Sequence, residues 1–154
     1  MFQLEHILVA TDFSEASETA LAYGRALAEK FGAALHVLNV VDDVLARGVG
    51  LEGYVGVYPE LQREIEEAAA RQLHALVAND TIRDGPVVLT SNTPAQAIVD
   101  YARKSKVDLI VIGTRGRGGM AHLLVGSVAE RVVRTATCPV LTVHHDERKS
   151  VPIL

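Results

Sequence analysis

The chain alternates short aliphatic runs with longer stretches of helical period. His6 to Ala10 (HILVA) is an unbroken apolar run that stops at Thr11-Asp12. A run without polar alternation suits a strand covered on both faces. Ser14 to Phe31 then sets Ala20, Leu21, Gly24, Leu27, Ala28 and Phe31 at helical spacing. Ser14 is placed to cap that helix and Gly32 to end it. Ala34 to Val41 (ALHVLNVV) predicts a second strand. Asp42 to Tyr58 shows no period and reads as a mobile loop. Pro59 to Val77 returns to helical spacing, with Leu61, Ile65, Ala69, Leu73 and Val77 on one stripe and Glu64, Glu66, Glu67 and Arg71 on the solvated face.

The second half repeats the alternation. Pro86 to Leu89 (PVVL) predicts the third strand. Thr93-Pro94-Ala95-Gln96 has the form of a capping box with Pro at the first helical position, opening a helix to about Ser105. Asp108 to Ile112 (DLIVI) predicts the fourth strand, and a glycine-rich loop starts at Gly113. Ser127-Val128-Ala129-Glu130 is a second capping-box pattern, with Ser127 as the cap of the last helix. Pro139 to His144 (PVLTVH) predicts the fifth strand. The order β-α-β-α-β-α-β-α-β makes an α/β fold, a parallel sheet with helices on both faces. Without repeat or linker, residues 1–154 form a single domain, with 146–154 as a tail.

Composition narrows the function. Apolar residues make up 49% of the 154, without counting the 12 Gly, and aromatics only 5%, so the core is aliphatic. This content excludes disorder. No apolar run approaches the ~20 residues of a membrane span. The first residues lack the charged and apolar regions of a secretory signal, so the expected location is cytoplasmic. Cys138 is the sole cysteine, which leaves no disulfide framework or cysteine metal cluster. The net charge of −4 argues against nucleic acid as a partner. The six histidines are scattered, none at metal-ligand spacing on a helix, so no metal site is expected. No catalytic Ser-His-Asp constellation is legible.

Nine of the 12 glycines fall in two windows, 48–56 and 113–126. The second reads GTRGRGGMAHLLVGS, with the spacing G-x2-G-x9-G-S across Gly113, Gly116 and Gly126-Ser127. Glycines let backbone N–H groups approach an anion. The helix start at Ser127 adds free N–H groups and a favourable dipole, and Arg115 and Arg117 add positive charge. Together they predict a phosphate cradle. A Walker A string, G-x4-G-K-S/T, is absent. Gly116 to Ala121 fits G-x-G-x-x-A only formally, because it follows the fourth strand and no acidic residue stands about 20 residues on. In open parallel sheets ligands sit beyond the carboxyl ends of the strands. Thr11 and Asp12 end the first strand and are the candidate second wall.

The glycine spacing resembles the nucleotide-binding signature of the universal stress protein family. The resemblance extends over ILVATDFSEAS, LHVLNVVD, DLIVIGTRGRGG, LLVGSVAERVVR and CPVLTV, nearly the whole chain. It implies a Rossmann-like open sheet of five parallel strands in the order 3-2-1-4-5, and bound ATP. Carried over by position, Asp12 would contact the adenine or ribose side and Val40 would pack on the adenine. Ile112, Gly113, Arg115 and Gly116 would line the ribose and phosphates. Gly126, Ser127 and Val128 would close around the phosphates. The family also implies a homodimer through strand five, here 139–145. The expected function is regulatory: ATP or another adenine nucleotide alters loop order and partner binding, with the 42–58 loop as lid. Two rival readings are a slow ATP hydrolase, with Asp12 or Asp42 holding Mg2+ through water, and a nucleotide-free dimeric module.

Overall fold

The computed structural model describes residues 3–47, 58–114 and 125–145. The glycines at 48–56, the candidates Arg115 and Gly116, and the tail 146–154 lie outside the described residues. The elements are β1 His6–Ala10, α1 Glu15–Phe31, β2 Ala34–Val41, α2 Val44–Arg47, α3 Tyr58–Leu76, β3 Val87–Thr90, α4 Pro94–Lys104, β4 Leu109–Gly113, α5 Ser127–Thr135 and β5 Val140–Val143. They build an α/β fold around one five-stranded sheet ordered β3-β2-β1-β4-β5, in which every pairing is parallel.

The central strands β1 and β4 account for the aliphatic excess. Ile7, Leu8, Val9, Ile110 and Val111 are each fully buried. Alternate residues of the sheet face two separate cores. Ile7, Val9, Leu35, Val37 and Val111 pack with Ala20 and Leu21 of α1 and Leu73 of α3. Leu8, Leu38, Ile110 and Ile112 pack with Ile98 and Val99 of α4 and Val132 of α5. Helices therefore cover both faces, which is why the inner strands lack polar alternation.

Helix α1 begins and ends as its sequence requires. Ser14 Oγ accepts from Ser17 N at 3.3 Å, and Gly32 turns out of the helix at φ 65°. Within α1, Gly24 lies so close to β1 that a Cβ there would stand 2.3 Å from Val9 Cγ2. At the far end of α1, Arg25 grips Asp80 through Nε and Nη2 and also donates to Leu76 O at 3.0 Å, fastening α1 to the end of α3.

Three local expectations are corrected. Neither capping box forms. Thr93 takes φ −124° and ψ 72°, makes no side-chain cap bond, and its hydroxyl lies 3.2 Å from Ser91 Oγ instead. Gln96 meanwhile donates to Asp100 at 2.8 Å. At α5 the N-cap is Gly126, extended at ψ 157°, and Ser127 is the first helical residue. That offset moves Glu130 out of capping range, and it pairs with Arg134. The third correction concerns the segment after β2. It is not a uniform loop, because Val44–Arg47 form α2. Buried Gln62 accepts from Val44 N at 2.8 Å and donates to Asp42 O at 3.1 Å. Asn92 exchanges two hydrogen bonds with the Asp43 backbone.

Candidate functional site

The β1–α1 turn is built by short polar side chains. Thr11 is 4% exposed, and its hydroxyl accepts from Phe13 N at 3.1 Å and pairs with Ser17 Oγ at 3.0 Å. Asp12 Oδ1 accepts from the backbone N of Ser14 at 3.0 Å and from its hydroxyl. Between them Phe13 adopts φ 64°, in the left-handed region that bulky residues avoid. The turn's hydrogen bonds hold this conformation, and strain of this kind concentrates at functional sites. Thr11 thus shapes the turn, while Asp12 is set at the crevice.

The opposite wall comes from the end of β4 and the start of α5. Thr114 is 1% exposed; its backbone N donates to Val143 O at 2.9 Å, and its hydroxyl lies 2.9 Å from His144 Nδ1. Its carbonyl accepts from Gly126 N. The two ends of the glycine loop are therefore tied together where β4 stops. Gly113 is fixed by a second constraint: a Cβ there would meet the backbone C and O of Ala16 at 2.8 and 2.9 Å. The first turn of α1 thus lies directly against the end of β4.

These segments surround a crevice of about 1080 Å³ at the carboxyl ends of the strands. Thr11, Asp12, Val40, Ile112, Gly113, Gly126, Ser127 and Val128 all line it. The two remaining candidates, Arg115 and Gly116, lie outside the described residues. The crevice sits between β1 and β4, where the strand order reverses, the position open α/β sheets use for ligands. The start of α5 carries no side-chain cap, so its N–H groups and dipole are oriented for an anion. The described lining includes the carboxyls of Asp12 and Asp42 but no histidine, cysteine, lysine or arginine.

The lining also holds residues that motif reading passed over. Ile65, Ala69 and Gln72 of α3 and Ile98 of α4 close the flanks. Buried Asn39 stands at the end of β2, its Nδ2 donating to Thr11 O at 2.8 Å and its Oδ1 without a partner. A polar residue inside the aliphatic string ALHVLNVV was the available signal. His36, in the same string, lies at the other end of the strands with Nε2 3.2 Å from His6 Nδ1 and Nδ1 3.1 Å from the Tyr101 hydroxyl. Its pKa is lowered by burial and then by the neighbouring His6. Burial likewise raises the Cys138 thiol. Among the described residues no cluster of three or more acidic, histidine or cysteine side chains is placed to hold a metal ion, and no helix is long and apolar enough to cross a membrane.

Sheet order and crevice together define a doubly wound α/β domain with an open crevice at its switch point. Comparison with known proteins makes the class specific. The model of the universal stress protein family matches residues 3–144, and the chain belongs to that family. It is 34% identical over 143 residues to a universal stress protein of Methanocaldococcus jannaschii, covering 93% of this chain and 84% of that one. Among solved structures, hypothetical protein MJ0577 superposes with a TM-score of 0.79 at 26% identity, covering 94% of this chain and 99% of the other. A universal stress protein from Archaeoglobus fulgidus in complex with dAMP shares the fold at a TM-score of 0.57 and 21% identity, covering 93% of this chain and 99% of that one. Another universal stress protein, in complex with cAMP, shares it at 0.59 and 24%, with coverage of 93% and 98%.

Proposed function

We propose that the crevice binds an adenine nucleotide, ATP in particular, and that occupancy regulates the protein's interactions in the cytoplasm. The observation that carries this reading is the convergence of the β1 turn, the end of β4 and the uncapped start of α5 on one crevice. The residues present fit such a ligand. The α5 N–H groups at Ser127 and Val128 would hold phosphate oxygens, with Arg115 and Gly116 of the intervening loop adding contacts. Ile112 and Gly113 would flank the ribose, Asp12 would accept from its hydroxyls, and Val40 would pack on the base. A Mg2+ accompanying the triphosphate would be held by Asp12 or Asp42 only through water, since both carboxylates already have protein partners. The dAMP and cAMP complexes of proteins with the same fold are consistent with adenine as the base.

Turnover is not part of the proposal. Asp12 is engaged by Ser14, and Asp42 lies 3.2 Å from Arg47. No histidine among the described residues lines the crevice to act as a base. The chain is also proposed to form a homodimer through 139–145, because β5 is an edge strand whose outer groups invite pairing. The decisive experiment is release of nucleotide. The purified protein is denatured and its supernatant separated by chromatography, and stripped protein is titrated with ATP by calorimetry. Bound or titratable ATP supports the reading, and neither released nucleotide nor binding refutes it. A monomeric mass at micromolar concentration would remove the dimer.

A further inference from the structure

Glu15, Thr19, Tyr23, Leu27 and Phe31 recur every fourth residue along α1 and form one inclined ridge of that helix. The head of the ridge is polar and engaged. His145 Nδ1 lies 3.2 Å from Thr19 Oγ1, and its Nε2 lies 3.2 Å from Glu15 Oε2. The chain beyond β5 is therefore clamped across the first turns of α1. The rest of the ridge is apolar. Tyr23 is 47% and Phe31 54% exposed, and Leu27 between them is only partly buried. Two large exposed rings thus stand in line with the point where the chain is held, and apolar surface gathered in this way marks a contact site.

The sequence beyond the clamp supplies what the ridge lacks. The family match ends at residue 144, so 146–154 lie outside the shared domain. Asp146 to Ser150 are polar, and Val151-Pro152-Ile153-Leu154 are apolar throughout. These four follow His145 by six to nine residues. At ~3.3 Å per residue they can reach up to about 20–30 Å from it. Measured from Thr19 along the helix axis, Tyr23 is about 6 Å away and Phe31 about 18 Å. Both rings are therefore within range, with slack in the polar five. Pro152 suits an extended segment that docks by side chains and needs no backbone partner. The tether at His145 holds the segment at high local concentration over its own helix, which favours this chain over a second copy. We propose that residues 151–154 dock on Tyr23, Leu27 and Phe31 of the same chain, making 146–154 a strap along α1. The strap covers apolar surface beside the edge strand β5 and withdraws it from association with other molecules.

The test is limited trypsin digestion of the full chain, with loss of the segment after Arg148 or Lys149 followed by intact mass. Wild type is compared with Tyr23→Ser, Ile153→Ser and the double variant. Tyr23 is exposed and Ile153 lies outside the shared domain, so both variants are expected to keep the wild-type thermal midpoint. Each single variant is expected to lose the segment about tenfold faster or more, because cleavage follows the population of the undocked strap. The double variant is expected to be no faster than the singles, since both remove one contact. Cleavage at the wild-type rate in the variants, or gains that multiply in the double variant, overturns the strap. A second arm co-refolds isotope-labelled Tyr23→Ser with unlabelled wild type. Labelled chains that stay fast support docking within one chain. Labelled chains that regain the slow rate overturn it and assign the ridge to the strap of a second copy.

Discussion

Gly24→Ala tests how closely α1 is seated on the sheet. On a solvent-facing helix this substitution stabilises by about 0.5–1 kcal/mol, because alanine loses less backbone entropy than glycine. Gly24 is buried, and its added Cβ would stand 2.3 Å from Val9 Cγ2 and 3.6 Å from Leu35 Cδ1. The first distance is more than an ångström short of an ordinary carbon contact. Val9 cannot swing aside: it is fully buried in the central strand β1, between β2 and β4, and valine is stiff at χ1. Helix α1 must lift instead, against the Arg25–Asp80 grip and the Gly113–Ala16 contact.

Overpacking of a tight core costs about 1–3 kcal/mol. Set against the helix gain, the net destabilisation is about 1–2 kcal/mol. For a domain of this size that lowers Tm by roughly 2–8 °C. The assay is thermal and urea unfolding followed by circular dichroism on wild type, Gly24→Ala, Val9→Ala and the double variant. Val9→Ala removes the atom that the new methyl strikes, so the double variant should be more stable than the sum of the single losses by about 1 kcal/mol or more. A Gly24→Ala protein as stable as wild type, or strictly additive losses, would refute the argument that this glycine is kept for close approach.

Two further outcomes follow from buried or anchored charges. His36 is 2% exposed and its pKa lies below the ordinary 6.5, through burial first and His6 second, with Arg83 acting in the same direction and Asp84 opposing. The unfolded chain therefore takes up a proton that the native state refuses, so stability rises with pH up to about 6.5 and falls as pH drops below it. His36→Gln should flatten that slope in unfolding measurements between about pH 5 and 7, and an unchanged slope would count against the assignment. Arg25→Met should cost about 1–2 kcal/mol by removing bonds to Asp80 and Leu76 O, less than a fully buried pair because Arg25 is 39% exposed. A double cycle with Asp80→Asn that shows no coupling would assign the loss to packing alone.

The sequence pattern located the strands because buried parallel strands demand unbroken aliphatic runs; β1 and β2 lie where HILVA and ALHVLNVV placed them. It could not find α2, since four residues carry no period and this turn is held by the distant side chains of Gln62 and Asn92. The capping boxes failed for a related reason. A capping pattern at Thr93 or Ser127 specifies which bonds are possible, whereas the backbone entering the helix decides which residue is extended enough to use them. At α5 glycine took that place. In the site, glycine spacing and the Thr11-Asp12 stop marked two walls in advance. The third wall, Ile65, Ala69 and Gln72, was hidden because these residues belong to a helix stripe that otherwise signals only core.

Gly113 has a structural reason that its motif did not suggest. Its place in the motif suggested that it lets backbone approach an anion. The geometry adds a second role, since the absence of a side chain lets the Ala16 backbone, in the first turn of α1, close onto the end of β4. That contact sets the distance between the β1–α1 turn, which carries Asp12, and the α5 start, which is tied to β4 through Thr114 and Gly126. The two walls on this side are thus positioned by backbone against backbone, where side-chain motion cannot widen the gap. The far side is lined by Val40 and Asn39 of β2 and by Ile65, Ala69 and Gln72 of α3. Substitution on that side would reshape the crevice without moving the frame that Gly113 and the Thr114–Gly126 tie hold.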